Sequence, residues 1–315
     1  MGVHKSRCGS LQIWPRRRAK RILPSANWNC LPKSDKPNLL GFIGYKVGMI
    51  SAYAKDNTAD SMTKGKKIAI PATIIECPEL RIFSVRFYKN SKVLKEVIIH
   101  FDDSLKRKLK KPKEIKPSRI DEITGFDDIR ITAISETKKT GFRKNPEILE
   151  IGLSGSKEEK LKFIKEKLNK EIKISEVISQ GVVDIHAVTK AYGTQGPVRR
   201  FGIGLKFHKS EKGVRRPGAL GPWHPSRVTF RVSNMGQTGL HTRIVYNSLI
   251  LQVGRIGEKD INKKEGFHKY GNINTDYIIL KGSVPGTEKR PILMTLSQRP
   301  TISATKQKYE VIELR

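Results

Sequence analysis

Three histidines, His208, His224 and His241, lie in a stretch of the sequence that is rich in glycine and lysine. Two of them could act as general acid and base in a metal-independent nuclease, or all three could bind a metal ion. Glu211 is the single carboxylate near them in the sequence, and no cysteine or carboxylate cluster joins them. We therefore expect histidines that contact a ligand or support the structure, with no catalytic residue and no metal site.

Two glycine patterns could bind the phosphates of a nucleotide. Gly41, Gly44 and Gly48 are spaced as GxxGxxxG, but the GK[ST] sequence of a P-loop does not follow them. The sequence GIG at 202–204 lies in a basic stretch and not in a strand-to-helix fingerprint. Neither pattern predicts a nucleotide site, so we expect no cofactor.

The charge of the chain indicates a polyanionic partner. Sixty-two Lys and Arg against thirty Asp and Glu give a net charge of +32 over 315 residues. Residues 1–40 hold nine cations and one acid, and residues 186–257 hold twelve and one, whereas 79–176 hold seventeen acids. A surface that contacts phosphates excludes carboxylates, because each would repel the nucleic-acid backbone. Short basic runs are often merely solvated, but two long acid-poor stretches favour nucleic acid, with an anionic membrane surface as the alternative.

Other features of the sequence favour a reducing, cytoplasmic setting. No run of 18 apolar residues could span a bilayer, and the basic N-terminus lacks the apolar run of a signal peptide. Cys8, Cys30 and Cys77 are far apart and form no CxxC pair. Isolated thiols of this kind are typical of a compartment without disulfide formation.

The elements that must position these residues are mostly strands. Strand signals, marked by β-branched and alternating apolar residues, are found at 39–54, 66–80, 82–90, 94–101, 182–190, 241–257 and 275–286. The glycines within 39–54 favour two strands joined by a turn. Residues 155–172 predict the one clear helix, with a capping box from Ser156 and Glu159. The sequence therefore predicts a mainly β fold, a barrel or sandwich interrupted by a small α+β insertion.

Residues 190–240 fit neither the strands nor the insertion. They are glycine-rich, basic and much longer than an ordinary connection between elements. Such an arm has no core of its own, so a partner must order it or it stays flexible. Trp223, which lies among Gly221, Pro222 and Pro225, is expected near the turn of the arm, stacked on RNA bases. The alternative is that its ring packs back on the barrel.

Four stretches together carry a family resemblance. They are LLGFIGYKVGM, GVVDIHAVTKAYGTQGPVRRFGI, GALGPWHPSRV with GQTGLHTR, and DYIILKGSVPGTEKRPILM. In this order they resemble the universal large-subunit ribosomal protein three, or L-three, family, from about residue 5 to the last strands. The start GSLQIWPRRRAKR resembles the archaeal form of that family.

The resemblance implies a six-stranded Greek-key barrel of the translation-factor type, formed by 39–78 and 180–315. It implies an inserted α+β domain at 79–179 and two long basic RNA-penetrating extensions, at 1–38 and 190–240. The implied function is structural and not enzymatic: binding of rRNA in the large ribosomal subunit, early assembly, and a finger that reaches toward the peptidyl-transferase centre. The implied partners are rRNA and neighbouring proteins such as ribosomal protein L-fourteen, with no membrane and no homo-oligomer. An RNA-processing enzyme or a free RNA chaperone with the same basic arms is the alternative.

The candidate RNA-binding residues are the cations, histidines and polar groups of the two basic stretches, with Trp223 as the stacking residue. They are Arg16, Arg17, Arg18, Lys20, Arg21, Lys190, Arg199, Arg200, Lys206, His208, Lys209, Arg215, Arg216, Trp223, His224, Arg227, Gln237, His241 and Arg243. We expect the arginines to neutralise rRNA phosphates. His208 is included because the resemblance implies a histidine near this position in the extension of other family members.

Overall fold

Two compact units divide the chain in the computed structural model of the protein. Unit 1 comprises Met1–Arg21 with Val188–Arg243, and unit 2 comprises Ile22–Ala187 with Ile244–Arg315. The structure describes residues 11–32, 37–115, 117–178, 181–210 and 212–315.

Strands account for most of the regular structure. They are β1 Gly41–Asp56, β2 Lys67–Cys77, β3 Leu80–Lys89, β4 Lys92–Ile98, β5 Asp128–Ser135, β6 Ile148–Gly152, β7 Val182–Val188, β8 Ala191–Gln195, β9 Gly236–Gly239, β10 Thr242–Gly254, β11 Asp276–Lys281, β12 Pro291–Leu296 and β13 Tyr309–Leu314. The α-helices are short: α1 Lys157–Lys167, α2 Ile174–Val177, α3 Pro197–Phe201 and α4 Ile302–Lys306. The prediction of a mainly β chain is confirmed.

The larger sheet of unit 2 has seven strands in the order β12-β7-β10-β11-β2-β1-β13. Because β12 also pairs with β1, the pairings run in a circuit through six of these strands. The circuit depends on the length of β1, which pairs with β12 at Gly41–Tyr45 and with β13 at Ala52–Asp56.

The prediction of two strands and a turn in 39–54 is wrong, since β1 is one strand of 16 residues. Its glycines serve packing and pairing instead of a turn. A Cβ on Gly44 would lie 2.4 Å from the Cγ2 of Ile75 on the neighbouring strand, so only glycine allows this approach. The register with β2 shifts between Lys46 and Gly48, which bends the strand without ending it.

The second sheet of unit 2 has four antiparallel strands in the order β4-β3-β5-β6. The predicted helix is present as α1, and its capping box is confirmed. The Ser156 amide donates to the Glu159 carboxylate at 2.8 Å, and the Glu159 amide donates to the Ser156 hydroxyl at 3.4 Å. Ile164 of α1 is fully buried in the main core with Ile129 and Ile131 of β5.

Trp28 packs between the two sheets of unit 2. Its side chain is only 4% exposed and lies against Gly41 of β1 and Gly152 of β6. A Cβ on Gly152 would approach the Trp28 Cβ to 2.8 Å, so the indole fits because both positions are glycine. Leu23 and Leu31 are also buried in this core. Residues 22–32 therefore belong to the folded body of unit 2.

The structure describes two of the three cysteines. Cys30 is exposed and Cys77 is buried, and both are free cysteines. Cys8 lies outside the described residues. In the described part of the chain, no helix has the length and apolar character needed to cross a membrane.

Candidate nucleic-acid interface

Unit 1 contains most of the two basic stretches of the sequence and almost no acidic residues. Residues 1–21 contain seven Lys or Arg and residues 188–243 contain eleven, which makes 18 cations beside one acid, Glu211. Glu211 lies outside the described residues. Because the boundaries of unit 1 follow from packing, the separation of charge is a property of the fold as well as of the sequence.

The root of unit 1 is a two-stranded antiparallel sheet, in which β8 pairs with β9. Helix α3 follows β8, with a proline in its first turn and with Gly202 as its C-cap at a φ of 65°. This local structure was not predicted for 190–240. It fixes where the long basic segment 203–235 leaves and returns.

Arg200, near the end of α3, connects the chain that leaves β8 to the chain that returns at β9 through hydrogen bonds. Its Nε donates to the carbonyl of Gln237 at 3.1 Å, and its Nη1 donates to the carbonyl of Asn234 at 3.0 Å. A Cβ on Gly236 would lie 3.0 Å from the guanidinium, at a φ of 157°, so glycine makes room for it. Burial lowers the pKa of Arg200. The structure uses this predicted phosphate ligand for internal support.

The N-terminal segment adds an aromatic stack to the root. The rings of Trp14 and Phe201 stack with centroids 5.0 Å apart and planes inclined by 26°. The Arg16 guanidinium carbon lies 4.5 Å from the centroid of Phe201 and 5.3 Å from that of Trp14. Arg16 Nη1 also donates to the carbonyl of Arg200 at 2.6 Å. Arg16, like Arg200, is therefore committed to contacts within unit 1.

His241 ties the N-terminal segment to the strand that leaves the root. The ring is buried, and its Nδ1 donates to the carbonyl of Arg17 at 2.8 Å. The Thr189 amide donates to the His241 carbonyl at 2.9 Å, and the Ala19 amide donates to the Leu240 carbonyl at 2.7 Å. His241 is a structural residue here, not an exposed ligand.

The remaining candidates divide by exposure. Gln237 and Arg243 are half-buried; Gln237 Nε2 donates to the Gly239 carbonyl at 3.2 Å, and Arg243 Nη1 donates to the Thr242 carbonyl at 2.8 Å. The exposed candidates are Arg17, Arg18, Lys20, Arg21, Lys190, Arg199, Lys206, His208, Lys209, Arg215, Arg216, Trp223, His224 and Arg227. Trp223 is 88% exposed, so its ring is not packed on any described part of the protein.

Sequence reasoning missed several exposed aromatic residues of unit 1. Phe207 is 68% exposed and its ring lies 4.2 Å from that of His208, centroid to centroid. Phe230 is 62% exposed beside Arg231, and Tyr192 lies under the guanidinium of Arg199 at 4.8 Å. The signal was in the sequence, because LKFHK and VTFR alternate rings with cations. Large exposed apolar groups in such a setting are typical of a surface that a partner covers.

The geometry gives no support to catalysis. Within the described ranges, no group of three His, Cys, Asp or Glu side chains is placed to hold a metal ion. The described residues of unit 1 also contain no carboxylate that could orient His208 or His224 as an acid or base.

The fold and this surface together define a mainly β protein with a separate, strongly cationic unit. Residues 2–315 match the family model described as ribosomal protein L3. The chain belongs to this family. It is therefore a ribosomal protein and not an enzyme, as the sequence predicts. Its location is the cytoplasmic ribosome.

Curated relatives of archaeal origin extend over nearly the whole chain. The chain is 38% identical to large ribosomal subunit protein uL3 of Archaeoglobus fulgidus, over 95% of this chain and 94% of that protein. It is 39% identical to the protein of the same name from Methanothermobacter thermautotrophicus, over 92% and 91% of the two chains. The predicted resemblance to the archaeal form is confirmed.

Proposed function

We propose that the protein is a structural constituent of the large ribosomal subunit and that it binds large-subunit rRNA through unit 1. The observation that carries this proposal is the set of exposed cations in a unit without a described carboxylate. Each cation that contacts a phosphate releases counterions, and no neighbouring acid in the described unit competes for it. The names of the archaeal relatives support the subunit.

The contacts within unit 1 divide the candidate residues between two roles. Arg16, Arg200, Gln237 and His241 bond to carbonyl oxygens of unit 1 and position its other residues. The exposed cations bind phosphates, and the exposed rings of Trp223, Phe207 and Phe230 stack on bases. Stacking of a base on an aromatic ring contributes about 1–3 kcal/mol and tolerates any sequence.

We propose that 39–78 and 180–315 form a six-stranded Greek-key barrel of the translation-factor type, mainly from the strands that lie in unit 2, with 79–179 inserted. The circuit of six strand pairings supports the barrel, and the sheet formed by β3 to β6 supports the insertion. The buried side chains between residues 22 and 32 favour ending the N-terminal extension at residue 21.

Membership of the family supports three further proposals. The chain binds rRNA early in assembly, segment 203–235 extends toward the peptidyl-transferase centre with Trp223 near its tip, and ribosomal protein L-fourteen is a neighbour. The high exposure of Trp223 agrees with a tip that is completed by rRNA.

The salt dependence of binding tests the proposed function. We expect the double substitution Arg215→Ala with Arg216→Ala to weaken binding of the full chain to large-subunit rRNA. The slope of log affinity against log salt should fall by roughly 0.7–0.9 for each phosphate that the variant no longer neutralises. The matched control removes Lys64 and Lys66, two exposed cations of unit 2, and should leave the slope nearly unchanged. An equal effect of both pairs would show that net charge and not unit 1 determines binding.

A further inference from the structure

A cavity of about 530 Å³ opens within unit 1, between parts of the chain that are distant in sequence. Three short segments line it, at 203–206, 216–221 and 231–233. Its volume lies within the range of pockets that hold small organic groups in proteins, roughly 300–1,000 Å³.

The lining combines apolar and cationic side chains. The apolar residues include Ile203, Ala219, Leu220 and Val232. The long basic side chains of the lining are Lys206, Arg216 and Arg231. No carboxylate belongs to the lining among the described residues. The apolar side chains suit a flat ring, and the cations suit an anionic group attached to that ring.

Three glycines of the lining are not explained by the fold itself. A Cβ on Gly204, Gly218 or Gly221 would meet no atom of the described chain within 4 Å, and none of the three has a left-handed backbone. Packing explains Gly44 and its φ explains Gly202, whereas Gly48 is as open as these three glycines. Glycine also serves where a ligand approaches the backbone closely. What sets Gly204, Gly218 and Gly221 apart is that all three line one cavity, where this use of glycine fits.

We propose that the cavity receives a single unpaired rRNA base, turned out of its stack and laid against the glycine backbone. The cations of the lining contact the phosphates on either side of that nucleotide. An apolar peptide would not require three cations, and a free anion would not require the apolar side chains. The inference rests on the proposed function, since it names one nucleotide site within the proposed rRNA surface.

The glycines supply a test that leaves the protein's own packing untouched. Full chain is bound to large-subunit rRNA, and the Watson–Crick edges of unpaired bases are probed with dimethyl sulfate, kethoxal and a water-soluble carbodiimide, which together cover all four bases. The wild-type protein should protect one unpaired base from modification. In the double variant Gly218→Ala with Gly221→Ala, the reactivity of this base should return to its value in rRNA without protein. Gly204→Ala, from another wall, should expose the same base. Overall binding should weaken only slightly, because one base contact among many is lost. Its salt slope should stay nearly unchanged, because no charge is removed.

The control is Gly48→Ala in β1, where a Cβ also meets no atom within 4 Å; it should leave every base as in wild type. Thermal unfolding of each free variant shows that it has folded. If the cavity variants bind rRNA and protect the same bases as wild type, the cavity holds no base and the proposal is overturned. If wild type itself fails to bind the rRNA, the proposed function fails instead, which is a different result.

Discussion

Unit 1 and the four-stranded sheet of unit 2 hold their arginines in opposite ways. On the sheet, carboxylates neutralise them: Arg86 pairs with Glu150 at 2.7 Å and with Glu96 at 3.2 Å, and Arg130 pairs with Glu150 at 3.0 Å. In unit 1, the guanidinium of Arg200 bonds to backbone carbonyls.

The difference shows how a protein can fix cations in place without cancelling their charge. A carbonyl oxygen satisfies a guanidinium N–H and orients the group, but it carries no net negative charge. A carboxylate orients the guanidinium and also neutralises its charge, so an ion pair leaves little positive potential for an external anion. Unit 1 therefore remains cationic after its internal contacts are made, whereas Arg86 and Arg130 of the sheet are paired with carboxylates. The comparison predicts that unit 2 is stable by itself and that unit 1 is completed by its partner.

Two tryptophans give the largest contrast between the regions. Trp28→Ala should lower the free energy of unfolding of the free chain by about 3–5 kcal/mol, because it empties a buried site between two sheets. Trp223→Ala should change it by less than about 0.5 kcal/mol, because the ring is exposed. Chemical denaturation measures both. A large loss for Trp223→Ala would show that the ring is buried in the free protein.

Arg199 and Arg200 give a contrast between neighbours. Arg200→Ala removes charged hydrogen bonds to two carbonyls at the root and should destabilise β8 and β9 locally by about 1.5–3 kcal/mol. Arg199→Ala removes an exposed side chain and should cost less than about 0.5 kcal/mol. Amide hydrogen exchange of 191–195 and 236–239 measures the effect. Equal exchange in the two variants would contradict the structural role of Arg200.

The ion pairs of unit 2 give the smallest effect, which depends on pH. Bonds from Lys139 and then Arg81, at 2.7 and 2.5 Å, lower the pKa of Glu171 from 4.5 to about 2 in the folded chain. A lowered pKa contributes stability that is present above pH 4.5 and is lost as the pH falls toward 2. These side chains are partly exposed, so Glu171→Gln should cost less than about 1 kcal/mol at pH 7. Melting temperatures of variant and wild type should converge as the pH falls toward 2; a constant difference would show that charge is not the cause.

Structure that depends on neighbouring residues was predictable from the sequence, whereas structure and residue roles that depend on distant partners were not. The capping box of α1 was predictable because both of its residues lie within one turn. Arg199 and Arg200 are indistinguishable in sequence, and only the carbonyls of Asn234 and Gln237, 34 and 37 residues away, separate their roles. The sequence likewise could not show that β8 would pair with β9, because the two short polar strands carry no alternation of apolar residues.

The glycines of β1 illustrate the same limit. Glycine inside an apolar run favours a turn, but Gly44 is required by the side chain of Ile75 on another strand. The candidate interface was predictable as a region, since the absence of acids is visible in the sequence. Its division into supporting and exposed residues was not, because burial at the root is decided by tertiary contacts.

The pairing of β1 with β12 sets an order of events for the newly made chain. Gly41 pairs with Thr295, so the circuit of strands cannot close until nearly the whole chain has been synthesised. Contacts between such distant residues form slowly, because a long loop must be ordered before they can stabilise the fold. The first half of β1 is mostly buried in the folded chain. During synthesis it remains unpaired with β12 until that strand has been made. We therefore expect the nascent chain to expose an unpaired apolar edge of β1 until its C-terminal strands have been made.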